Sequence, residues 1–205
     1  VLSGEEDGIL YVVHVACGVG AGMIVLFRLA WGVVGNEHAR FGDFVFGWRR
    51  VRNYAGELVR LRPPPFVGHN PLGGWMVVAL LVVVGLCAFT GMEAGGLLGP
   101  GPAGVAEEVH EALGSLIQIM IFVHFAGVLV DWLLTGDNLI AAMISGRKRV
   151  PGTRPGDGAA PRDARGGNVW LALALAIPLV VFGGWLFATI DPSTHQPRQE
   201  SHERD

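Results

Sequence analysis

His14, Arg28, His110 and His124 each lie inside a long apolar stretch, where an ionisable side chain is expensive and marks function. His110 and His124 are 14 residues apart. On a helix that interval is a rise of about 21 Å and a return to within about 40° of the starting direction, so the two imidazoles share one face at two depths. Arg28 follows His14 by the same interval. Neutral imidazoles facing each other across two helices, with no cysteine or carboxylate cluster beside them, suit bis-histidine ligation of a haem iron better than zinc, which takes four ligands. Hydrogen-bond bridging between helices and a proton relay use the same residue type and stay open as readings. Gly18, Gly114 and Gly127 follow His14, His110 and His124 by three or four positions, where a porphyrin would need the backbone to come close. Arg28 would pair with haem propionates or reach out to the interface.

The elements that must position these groups are membrane spans. The chain has 205 residues, is 51% hydrophobic and only 16% charged, and has a mean hydropathy of +0.44. A soluble enzyme of this size does not have that balance. A hydrocarbon core of about 30 Å takes about 20 apolar residues of helix, and four stretches qualify: 9–34, 71–91, 106–134 and 168–190. The expected fold is an all-α membrane protein, a transmembrane helix bundle of four spans. Cys17 and Cys87 sit in apolar runs, and neither begins a C-x-x-C-H motif, which excludes a disulfide scaffold and covalent c-type haem. A net charge of −3 leaves no footprint for nucleic acid.

Lysine and arginine in short loops stay on the cytoplasmic side. Arg40, Arg49, Arg50, Arg52, Arg60 and Arg62 lie between the first two spans, and Arg147, Lys148, Arg149, Arg154, Arg162 and Arg165 between the last two. Both termini are therefore expected on the non-cytoplasmic side of the membrane. The first and third spans then run parallel, which brings His14 and His110 to similar outer depth and lets them face each other. A chain that starts outside with so few residues before its first span also leads to the expectation of a missing upstream segment.

Four ordered stretches resemble one family. They are Arg28-Leu29-Ala30-Trp31-Gly32-Val33-Val34-Gly35 running on to Ala39-Arg40-Phe41; Gly68-His69-Asn70-Pro71-Leu72-Gly73; His110-Glu111 through His124 to Gly127-Val128; and Asp137-Asn138-Leu139-Ile140-Ala141-Ala142-Met143-Ile144-Ser145-Gly146-Arg147-Lys148-Arg149. Together they make 9–149 similar to the bacterial cytochrome b561 group, which includes the b-type cytochrome subunits of membrane-bound nickel-iron hydrogenases. The resemblance implies a four-helix bundle holding two non-covalent b haems, one near each membrane face. It also implies electron transfer between a redox partner, such as a hydrogenase or a cytochrome c, and the quinone pool. Carried over, His14 and His110 are ligands of the outer haem, and His124 is one ligand of the inner haem.

The family takes the other inner ligand from a histidine near the start of an additional first helix, which is expected to lie in the missing upstream segment. Two further departures stand out: His38 precedes Ala39-Arg40-Phe41 where the family often has an aromatic residue, and the fourth span lies beyond the usual family pattern. That span offers no ligand; the alternative to a missing segment is that it packs in place of the first helix, leaving His124 to pair with His69 or keep an open coordination site, although His69 reads better as a cap or propionate contact than as a ligand. The expected division is a haem-binding membrane region over 1–149, a flexible cytoplasmic linker over 150–167, an additional membrane helix over 168–190 and a polar tail over 191–205.

The expected function is that of an electron-transfer subunit in contact with membrane lipid and quinone, rather than an enzyme acting alone; a homo-oligomer is left open. The alternatives are a stand-alone quinone reductase that oxidises a small outer substrate such as superoxide, and a haem-free anchor or proton relay built on the histidines. Glu111 and Asp131, near opposite ends of the third span, read as interfacial caps in contact with water.

Overall fold

The computed structural model describes residues 3–36, 39–64, 70–98, 103–136 and 168–188, which form helices and short turns with no strand among them. In chain order the helices are α1 (Ser3–Val34), α2 (Phe41–Phe44), α3 (Trp48–Val59), α4 (Pro71–Ala94), α5 (Ala103–Thr135) and α6 (Val169–Ala188). Four segments are long and apolar enough to cross a membrane: Ile9–Val34, Pro71–Ala94, Gly104–Thr135 and Val169–Ala188. The four expected spans are therefore present. Their large apolar residues mostly face outward, among them Ile24, Val33, Phe122, Phe125 and Val180, as they do where lipid is the solvent and the backbone polar groups are satisfied within each helix.

α4 is the element against which the others are arranged. It packs on both α1 and α5, while α6 packs on α1. The register shows direction. Gly22 of α1 lies against Ala88 and Val25 against Gly85, so α1 and α4 are antiparallel. His110 of α5 lies against Cys87, and Asp131 against the Asn70 that caps α4, so α5 and α4 are antiparallel too. It follows that α1 and α5 run parallel, as the charge distribution implied.

The arginine-rich segment after the first span is more than a bare loop, because it folds into α2 and α3. The corner is built from the residues of the first resembling stretch. Arg28 donates from Nη1 to the Ala39 carbonyl (3.0 Å), and Arg40 donates from Nε back to the Gly35 carbonyl (2.9 Å). The Arg28 guanidinium lies 5.1 Å from the Phe41 ring centre and 5.3 Å from that of Phe44, within cation–π range. Gly32 is where the Phe41 ring crosses α1, and a Cβ there would clash with the edge of the ring at Cε2. Next in the chain, α3 turns Val51 and Tyr54 inward and leaves Trp48, Arg49, Arg50 and Arg52 exposed.

The second stretch starts α4 by ordinary capping chemistry. Asn70 has an extended backbone and its Oδ1 accepts from the Gly73 N–H (2.7 Å), while Pro71 takes the first helical position, where no N–H is needed. Pro71 is fully buried. α5 ends at Gly136, whose φ of 73° lets its N–H turn back to the Trp132 carbonyl (2.9 Å). His38, His69, the stretch 137–149, the linker 150–167 and the tail 191–205 lie outside the described residues.

Candidate functional site

The site is assembled by three helices, two that carry imidazoles and one that does not. His14 projects from α1 and His110 from α5, with ring centres 5.8 Å apart and planes at 88°. α1 and α5 do not pack along their length. Their histidines meet because both helices are laid against α4. Two imidazoles sharing one metal ion, each nitrogen about 2 Å from it, would have ring centres about 6 Å apart, and the separation of this pair is compatible with that.

α4 orients one of the rings. His110 Nδ1 donates to the Cys87 main-chain carbonyl at 2.9 Å. A carbonyl only accepts, so the proton is on Nδ1 and the Nε2 lone pair is left for a metal, the arrangement by which proteins fix a ligating imidazole. The Cys87 Sγ is 3.5 Å from the same nitrogen and 3.9 Å from the His110 carbonyl. Gly91, one turn on, makes the approach possible: a Cβ there would sit 2.8 Å from His110 Cε1 and 3.0 Å from Nδ1.

A planar macrocycle between the two rings also needs room beside them. A Cβ built at Gly18, Gly114 or Gly127 meets nothing within 4 Å, unlike Gly22, Gly85, Gly91 or Gly183, which touch neighbouring helices. The two-imidazole donor set and the open glycine faces fit haem, whose porphyrin supplies the remaining ligands.

His124 is half-buried on α5, with its ring centre 6.1 Å from that of Phe125. The structure joins His14 to His110; near His124 no second imidazole is found among the described residues. Arg28, near the level of His124, is held by Ala39, Phe41 and Phe44 at the α1–α2 corner. Beside it lies an open apolar cleft of about 450 Å³ lined by Leu29, Phe41, Val45, Val78, Leu81 and Val82.

Asp131 does more than cap the helix at the interface. Glu111 is exposed, as an interfacial residue should be, whereas Asp131 is half-buried in a polar cluster. Its Oδ1 accepts from the Tyr54 hydroxyl (3.0 Å) and from Asn70 Nδ2 (3.2 Å). Burial, and then the adjacent Asp131 carboxylate that its hydroxyl bonds, push the Tyr54 phenol well above its ordinary value of 10.0. One signal was available in the sequence, since Asp131 lies seven residues after His124 and so falls on the same face of α5.

Parallel spans that bring two histidines together at one depth define a multi-pass helical membrane protein with a bis-imidazole site. Residues 2–146 match the family model for prokaryotic cytochrome b561, and the chain belongs to that family. It is similar to the probable Ni/Fe-hydrogenase B-type cytochrome subunit of Bradyrhizobium diazoefficiens, 24% identical over 171 residues that cover 69% of this chain and 67% of the relative. It is also similar to the probable Ni/Fe-hydrogenase 1 B-type cytochrome subunit of Escherichia coli K12, 22% identical over 177 residues, 71% of this chain and 74% of the relative. No solved structure matches the chain. Family and fold together make this a b-type haem membrane protein of electron transport.

Proposed function

We propose that the chain carries electrons across the bacterial cytoplasmic membrane between a redox partner on the outer side and the quinone pool. The observation that carries this reading is the His14–His110 pair, with ring centres 5.8 Å apart and the His110 proton committed to the Cys87 carbonyl. Bound haem supplies a one-electron iron couple. His14 and His110 would hold it at the outer level, one imidazole from each of α1 and α5, and a haem held by two imidazoles would favour electron transfer over oxygen chemistry.

His124 offers one imidazole at the inner level, about 21 Å further along α5, as a ligand of an inner haem. Arg28 uses one N–H on Ala39 and directs remaining donors of its fork towards propionates. The open apolar cleft lined by Phe41 and Val78 supports the quinone reading, because it is a lipophilic surface beside the cationic Arg28. The hydrogenase names of the relatives support a Ni/Fe-hydrogenase as the redox partner.

The test is a haem-to-protein ratio by pyridine haemochrome, with reduced-minus-oxidised spectra. The purified protein should show b-type bands that carbon monoxide does not alter, at two haems per chain. His14→Ala or His110→Ala should remove one haem and His124→Ala the other. A colourless wild-type protein would overturn the reading.

A further inference from the structure

We propose that α4, which carries no ligand, sets the tautomer and ring plane of His110 and thereby the reduction potential of the outer haem. Gly91 and Thr90 are the positioning residues. The inference rests on the haem reading above and adds to it the part of the chain that tunes the metal.

The Cys87 carbonyl receives more donors than it has lone pairs. As a mid-helix carbonyl it accepts from the N–H four residues on, in Gly91. The Thr90 hydroxyl also lies on it at 3.1 Å, sharing itself with the Leu86 carbonyl at 3.0 Å. His110 Nδ1 is the third donor, at 2.9 Å. With two lone pairs available, Thr90 and His110 compete. A stronger bond from Nδ1–H gives the imidazole more imidazolate character, makes Nε2 a stronger donor and favours the oxidised metal. The Thr90 hydroxyl weakens that bond and so holds the potential up.

Geometry limits the ring plane as well. His110 lies over Gly91, where α4 has no Cβ to obstruct it. A methyl at Gly91 would stand 2.8 Å from Cε1 and 3.0 Å from Nδ1, and both belong to a rigid ring. The ring would have to turn away, and the bond to Cys87 would go with it.

The experiment uses the full-length protein in detergent, with haem content, low-spin ferric EPR and a redox titration as readouts. Thr90→Val, isosteric and without the hydroxyl, should keep both haems and move the midpoint of one of them to more negative potential. Thr90→Ser, which restores the hydroxyl, should bring the midpoint back. Gly91→Ala should shift the EPR signal of that same haem or lose it, leaving the other unchanged. The proposal is overturned if Thr90→Val and Gly91→Ala both leave spectra and midpoints at wild-type values with full haem content. It is equally overturned if Thr90→Ser shifts as far as Thr90→Val. Wild-type protein without haem would instead overturn the function proposed above, so the two failures are told apart by the first sample.

Discussion

Asp131 ties together three parts of the chain that the sequence keeps far apart. It accepts from Tyr54, 77 positions away, and from Asn70, 61 positions away, through the same oxygen. Replacing it removes the acceptor of two hydrogen bonds, and we expect Asp131→Ala to lower stability by about 1–3 kcal/mol, measured by thermal unfolding in detergent. The double variant with Tyr54→Phe should cost less than the sum of the single changes, because both remove the same bond. The raised Tyr54 phenol adds a dependence on pH. The folded state holds this proton more tightly than the unfolded chain, so the stabilisation is fully present below the ordinary value of 10.0 and is lost as the pH rises beyond it. Wild-type protein should therefore lose melting temperature between pH 9 and pH 11 more steeply than Tyr54→Phe does, and equal slopes would remove Tyr54 from the account.

At the scale of elements, α4 is a frame for histidines it does not contain, and each contact along it has one local cause. Its start depends on Asn70, which caps the helix through Oδ1 and reaches Asp131 through Nδ2. Losing such a cap costs about 1 kcal/mol, and Asn70→Ala should exceed that because a tie to α5 goes with the cap. α6 is a different case. It packs on α1, where Gly183 meets Met23 and Val19. A side chain at Gly183 would wedge the helices apart at 2.9 Å from Met23 Cγ. Gly183→Leu should thus lower the melting temperature while leaving the haem content unchanged, because α6 offers no ligand; haem loss in that variant would show that α6 supports the site through α1.

For the whole molecule the deciding property is which end faces the cytoplasm. α2 and α3 bring the exposed Arg49, Arg50 and Arg52 to the end of the bundle that holds Arg28 and Asp131, opposite the His14–His110 pair. Cationic loops stay inside, so that end should be cytoplasmic and the bis-imidazole site should lie towards the outside. A reporter active only outside the membrane should be silent when inserted between α2 and α3 and active when inserted between α4 and α5. The reverse pattern would put the histidine pair on the cytoplasmic side and with it the redox partner.

The sequence alone was enough for the four spans, because an apolar run long enough to cross a bilayer has few other uses. It also sufficed for the parallel course of α1 and α5 and for the meeting of His14 with His110, since charge asymmetry and helical periodicity are both properties of the linear chain. The stretch from Arg28 to Phe41 was legible as a pattern, yet only the structure shows it to be a corner, held by two arginine-to-carbonyl bonds and a ring that crosses Gly32. The Cys87 carbonyl could not be anticipated at all, because a main-chain acceptor is the same atom in every residue and its selection depends on how α5 lies across α4. Asp131 reads as a solvated cap until Tyr54 is brought against it. Position along one helix follows from spacing, whereas a partner on another helix follows from packing, and the tertiary structure alone decides packing.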